Sequence, residues 1–196
     1  MRSNIDTDVI IRIERLVGNG IRGTLGKWAF GSLRYLPDGS ENPDFILNRE
    51  PYRDAEILVT GPNFGCGSSR EGAVWSLQER GIRAIIGSGF GDIFFANCFQ
   101  NGILPVVVDK ALVDQLAADI EATQGAGKVS IDLEAQTIVS PSGARHTFEI
   151  DPRRREGLLK GLDEVALTLQ RDSEIHAFQA SDRTARPWIH STRISA

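Results

Sequence analysis

The chain has 196 residues, 41% hydrophobic and 24% charged, which suits one ordinary globular domain with enough apolar material for a core. A formal net charge of −4 leaves no basic footprint for nucleic acid, and the run Arg153, Arg154, Arg155 reads as a solvated helix face. Two cysteines, Cys66 and Cys98, exclude a disulfide scaffold and fit a reducing cytoplasm, while a polar N-terminus and the lack of any bilayer-length apolar run point away from a membrane.

In chain order, residues 9–13 are apolar and β-branched behind the Asp6-Thr7-Asp8 turn, and a short strand is expected there. Residues 18–48 are rich in Gly, Pro, Asn and Asp with scattered aromatics, and read as a long loop of the kind that carries function. Residues 56–60 form a buried strand ended by Gly61-Pro62. A Gly- and Ser-rich turn follows at 65–69, then a helix over 70–79 stopped by Gly81. A strand at 83–86, a helix at 92–100, a strand at 104–108 and an amphipathic helix at 112–122 complete an alternating pattern. That order predicts an α/β fold whose mixed sheet has a parallel component.

Beyond Gly125 the period changes to two, with strands expected at 129–133, 137–139 and 147–150 around a Pro141-Ser142-Gly143 turn. Asp151-Pro152 has the form of a helix N-cap followed by proline at the first helical position. The polar tail 171–196 is expected to be partly disordered or to wrap a partner, and no linker divides 1–196 into two domains. Phe94, Phe95 and Phe99 have helical spacing and read as core, and His146, His176 and His190 as surface or capping groups.

The stretch Asn63-Phe64-Gly65-Cys66-Gly67-Ser68-Ser69-Arg70-Glu71 carries the chemistry. It lies between a strand and a helix, where unpaired helical N–H groups attract anions. Gly65 and Gly67 permit a sharp turn, two hydroxyls add donors, and Arg70 supplies a fork matched to a carboxylate. A plain connection with Ser68 or Ser69 as helix N-cap has equal claim on composition. No lysine follows Gly67, so it is not a phosphate-binding P-loop, and neither the dinucleotide spacing nor the nucleophile elbow is present.

This stretch resembles the G-S-S-R-E signature of the aconitase superfamily's swivel domain. Asn4-Ile5-Asp6-Thr7-Asp8 with Ile10-Ile11 is similar to that domain's opening motif, and likeness extends through residues 42–45, 90–101, 104–106 and 131–136. In order and spacing the chain is most similar to the free-standing bacterial small subunits of isopropylmalate dehydratases. The resemblance implies a swivelling β/β/α domain that closes over a site built mainly by a large subunit. That partner would carry a 4Fe–4S cluster; two lone cysteines imply no metal or cluster on this chain. Cys66 would be a small residue packed in a tight turn.

Carried over, Ser68 matches the catalytic serine, whose alkoxide removes the substrate's α-proton, and Asp8 an active-site carboxylate that orients an arginine. Ser69 and Arg70 match positions that bind substrate carboxylate, and Arg22 is the choice for a second substrate arginine, with a solvated loop residue as its alternative. The implied reaction is dehydration and rehydration of a malate-type di- or tricarboxylate, isopropylmalate in leucine synthesis. Citramalate, dimethylmalate or homocitrate are alternatives, as is a non-catalytic or RNA-binding role, which the acidic charge disfavours. Leu25, Trp28 and Phe30 are expected to form an apolar pocket for a branched substrate. Two positions depart from the family: Gly72 stands where relatives have histidine, at up to about 1 kcal/mol of helix propensity, and Arg12 where many have proline.

Overall fold

The computed structural model describes residues 1–17 and 22–190. The expected first strand is helical instead. Asp6 keeps an extended backbone and its Oδ1 accepts the Val9 N–H at 2.8 Å, an N-cap that starts α1 (Thr7–Ile10) and overrides the β-branched preference of the segment. Ile10 and Ile11 are buried by this turn. The segment 22–48 is not a structureless loop either. It folds as a 3-10 turn (Gly26–Trp28), α2 (Gly31–Arg34) and a second 3-10 turn (Ile46–Asn48), with Leu25, Ala29, Phe30 and Leu47 buried. Residues 18–21 of that expected loop lie outside the described residues.

The next strands and helices fall close to where the apolar runs place them. β1 (Ile57–Thr60), β2 (Ala84–Gly87) and β3 (Leu104–Val107) pair in parallel in that order, Leu58 opposite Ile85 and Ile85 opposite Pro105. Parallel neighbours require crossovers, supplied by α3 (Gly72–Glu79) and α4 (Asp92–Gln100); α5 (Lys110–Ala122) follows β3. β2 is buried on both faces, as a central parallel strand should be. Ile85 joins Leu58, Phe64, Val74, Leu77 and Phe94 in one core. Ala84 and Ile86 face a second core with Val106, Leu116, Ile138 and Phe148.

That second core is closed by a separate antiparallel sheet of β4 (Ser130–Asp132), β5 (Thr137–Val139) and β6 (Arg145–Thr147). The turn in which Ser140 N–H donates to the Ala144 carbonyl sets Val139 opposite Arg145, so the last strand begins earlier than the expected 147. Asp151 Oδ1 caps α6 (Pro152–Lys160) as the sequence suggests. The arginine run on α6 is only partly solvated: Arg154 lies over the rings of Phe95 and Phe99, and Arg155 donates to the Leu133 and Glu134 carbonyls. Phe94 is core, whereas Phe95 and Phe99 are half-buried beneath Arg154. α7 (Glu164–Leu169) precedes the tail, whose described residues form α8 (Asp172–Ala185) and α9 (Pro187–His190). Pairs such as Arg171–Glu174 and Arg186–Asp182 brace α8, and residues 191–196 lie outside the described residues.

Candidate active site

Two motifs distant in sequence meet because the chain lays them side by side. Asn4 N–H donates to the Pro62 carbonyl at 3.0 Å, Gly65 N–H to Ile5 at 2.7 Å and Thr7 N–H to Cys66 at 2.9 Å. Asp6 and Cys66 form a parallel bridge, and α1 starts there, with Thr7 and Asp8 in its first turn. Gly65 (φ 71°) adopts the left-handed backbone, and a Cβ on it would lie 2.2 Å from the Phe94 ring. The turn follows the carboxyl end of β1 and is tied to the loop after β2, since Gly91 N–H donates to the Phe64 carbonyl at 2.9 Å. Open parallel sheets bind ligands outside the carboxyl ends of their strands.

Ser68 is the centre of a chain of hydrogen bonds. Its Oγ accepts from Arg70 Nε at 2.6 Å and lies 3.2 Å from Thr7 Oγ1, which also accepts the Ser68 N–H at 3.2 Å. Arg70 Nη1 and Nη2 donate to the two carboxylate oxygens of Asp8 at 2.6 Å each. The Arg70 hydrogen bonds hold the Asp8 carboxyl below the usual carboxylate range, and Asp8 raises the Arg70 guanidinium in return. A guanidinium has five N–H donors, and three are engaged here, so two remain for a ligand. Ser69 is exposed beside the cluster, and its hydroxyl makes no hydrogen bond among the described residues. Neither serine caps α3, because the helix begins at Gly72 with Glu71 before it; both hydroxyls are free of that duty.

Arg22 stands outside this cluster. Its Nη2 donates to Asn101 Oδ1 at 2.9 Å and its guanidinium lies 5.0 Å from the centre of the Trp75 ring. The loop behind it is pinned by Glu79, whose carboxylate accepts the N–H groups of Gly23 at 2.6 Å, Leu25 at 2.5 Å and Gly26 at 3.0 Å. Arg22 is therefore exposed to solvent but tethered at one guanidinium nitrogen. Of the three residues expected to form an apolar pocket, Phe30 lines a cavity of about 500 Å³ with Leu33, Phe45 and Phe64, whereas Leu25 is core and Trp28 is half-buried under the Arg15 guanidinium. At Gly72 a Cβ would lie 2.6 Å from Leu16 Cδ2, so the end of the Leu16 side chain fills the space beside this glycine.

Thr7, Asn101 and Glu79 were not singled out by sequence reasoning. Thr7 lies inside the Asn4–Asp8 motif, and its hydroxyl one residue before Asp8 was a usable signal. Nothing in the pattern ties Glu79 or Asn101 to a loop more than 50 residues upstream. Among the described residues no group of three or more His, Cys, Asp or Glu is placed to hold a metal. Cys66 is half-buried, and Cys98 is buried with its thiol pushed up by desolvation.

The Aconitase C-terminal domain model matches residues 2–111, and the LeuD_N model matches 114–152. The Ser68 turn and the Thr7-Asp8 helix thus both lie within an aconitase-type C-terminal domain. The chain is 50% identical over 192 residues to a 3-isopropylmalate dehydratase small subunit of Gluconacetobacter diazotrophicus, covering 98% of this chain and 91% of that one. It is 50% identical over 186 residues to the small subunit of that name from Jannaschia sp., covering 95% and 92%. The crystal structure of 3-isopropylmalate dehydratase from Methanocaldococcus jannaschii superposes with a TM-score of 0.62 at 26% identity, over 90% of this chain and 93% of that one. The chain belongs to the family of 3-isopropylmalate dehydratase small subunits.

Proposed function

We propose that the chain is the small subunit of a heteromeric cytoplasmic hydro-lyase that interconverts 2- and 3-isopropylmalate in leucine biosynthesis, working as one swivelling unit over 1–196 against a large subunit. The observation that carries this is the Thr7–Ser68–Arg70–Asp8 chain of hydrogen bonds at the end of β1. The two cysteines of this chain do not fit a 4Fe–4S cluster, one being half-buried in the turn and the other buried in the core. Such a cluster is assigned to the large subunit.

Each residue's part follows from its contacts. A free serine hydroxyl is far too weak an acid to serve as a base at neutral pH. Ser68 Oγ accepts from the Arg70 Nε–H and lies beside the Thr7 hydroxyl, which can turn its proton toward a negative oxygen there, so both would stabilise that charge. Ser68 in that form removes the proton α to the substrate carboxylate; the large subunit's cluster would supply the Lewis acid that takes the departing hydroxyl, and water adds back to the unsaturated intermediate at the adjacent carbon. Ser69, the free N–H groups of Arg70 and the fork of Arg22 grip the substrate carboxylates. Asp8 fixes the plane of Arg70 through two parallel bonds and touches no reacting atom.

The test is co-expression with the large subunit, anaerobic cluster reconstitution, and ultraviolet detection of the unsaturated intermediate from either isopropylmalate. Turnover by the mixed subunits alone, lost in Ser68→Ala while the complex still assembles, is the expected result. Turnover only of citramalate, dimethylmalate or homocitrate would keep the chemistry and change the substrate. The curated relatives favour isopropylmalate by name.

A further inference from the structure

The side chain of Asn101 is buried at the end of α4, and all three of its contacts are specific. Its Oδ1 accepts from Arg22 Nη2 at 2.9 Å; its Nδ2 donates to Glu71 Oε1 at 2.8 Å and to the Asn97 carbonyl at 2.9 Å. Its own carbonyl accepts from Gln78 Nε2 at 2.6 Å on α3. The amide cannot flip without setting a carbonyl oxygen against the Glu71 carboxylate and an NH2 against the Arg22 guanidinium. Its orientation is therefore fixed from both ends. One end is the residue directly after Arg70; the other is the arginine of a separate loop.

We infer that Asn101 is a positioning residue that holds Arg22 at a set place relative to the Ser68–Arg70 turn, so that two arginines from distant segments present carboxylate forks in a fixed relation. The inference rests on the reading of Arg22 as a substrate-binding group. Trp75 contributes a flat floor beneath the Arg22 guanidinium, and Glu79 holds the next residues of the loop by their N–H groups. Trp75, Gln78 and Glu79 all belong to α3, the helix that Arg70 and Glu71 precede. Arg22 thus needs no substrate to order it, and little side-chain entropy is lost when a carboxylate arrives. A dicarboxylate whose acid groups straddle the reacting carbons fits two arginines held in register better than one.

A double-mutant cycle in the assembled, cluster-loaded complex tests this. Asn101→Leu is expected to raise KM for isopropylmalate roughly tenfold or more, as loss of a hydrogen bond to a charged group does, with kcat nearly unchanged. In the Arg22→Ala background the same substitution is expected to leave KM unmoved, while any loss of melting temperature persists in both backgrounds. Should Asn101→Leu not fold, Asn101→Ala removes the same Oδ1 acceptor without placing a charge beside Glu71 and enters the same cycle, KM again rising only when Arg22 is present. A KM effect that survives in Arg22→Ala, or no KM effect in either variant, overturns the inference. Wild-type complex without turnover on any malate would instead sink the functional reading beneath it.

Discussion

Replacing Arg70 with lysine keeps the charge and removes the fork. The wild-type guanidinium reaches Ser68 Oγ through Nε and both Asp8 oxygens through its two Nη atoms, all at 2.6 Å. A single ammonium cannot satisfy both partners in that planar arrangement. The Asp8 side chain is 56% exposed, so the ion pair itself is worth about 1 kcal/mol or less in stability. In the proposed reaction the Ser68 contact matters in another way, because it would stabilise an oxygen that becomes negative. Loss of one preorganised donor to such an oxyanion costs about 10²–10³ in kcat. The expected Arg70→Lys complex therefore assembles and melts within a few degrees of wild type, while kcat falls roughly 100-fold or more. The assay is anaerobic steady-state turnover of isopropylmalate by the reconstituted complex, with melting followed in parallel. A kcat within about threefold of wild type, under 1 kcal/mol in the barrier, would refute the assignment of Arg70 as the donor that tunes Ser68.

Three further outcomes are expected. Gly72→His should destabilise the chain by about 1–3 kcal/mol in urea unfolding, because its Cβ alone would meet Leu16 at 2.6 Å; an unchanged midpoint would show that Leu16 moves aside without cost. Glu79→Ala removes the acceptor of three N–H groups and should cost roughly 2–3 kcal/mol, with faster hydrogen exchange at Gly23, Leu25 and Gly26 as the direct readout. Arg70 holds the folded Asp8 carboxyl below its unfolded value of about 3.9. The contribution of that carboxylate is thus fully present above about pH 4 and fades as the pH falls through the lower folded value. The stability difference between wild type and Asp8→Asn should accordingly be flat from pH 5 to 8 and shrink below pH 4; a difference that changes near neutrality would show that another group titrates with the pair.

The parallel layer was legible because its signals are local. Apolar runs at 57–60, 84–87 and 104–107 are separated by helical patterns with clear stops, and α4 fell on 92–100 as expected. The N-terminal turn was misread because Val9, Ile10 and Ile11 favour a strand in isolation, and the deciding contact is one carboxylate oxygen on one N–H. The aromatic segment 25–30 was misread for the opposite reason. Glycine and polar neighbours suggested a loop surface, yet Leu25 and Phe30 fill the space above α3 and Phe64. Within the site, resemblance marked Ser68, Arg70 and Asp8, and the fold brings those three into hydrogen-bond contact. The supports of Arg22 were invisible, since residues 75, 79 and 101 meet residue 22 only after the crossovers are made.

Helix α3 has a consequence for anyone recombining these subunits. Eight residues long, it carries Trp75 and Glu79 on the side that receives the 22–26 loop and follows directly on Arg70 and Glu71. One residue inserted or deleted between Gly72 and Trp75 would rotate Trp75 and Glu79 by about 100° relative to the turn before them. A loop transplanted alone from a relative would then arrive with no carboxylate to seat it, even if every residue of the serine turn were retained. Residues 22–30 and 65–79 consequently form a single exchangeable cassette, and chimeras that cut between the two should lose grip on substrate before they lose their fold.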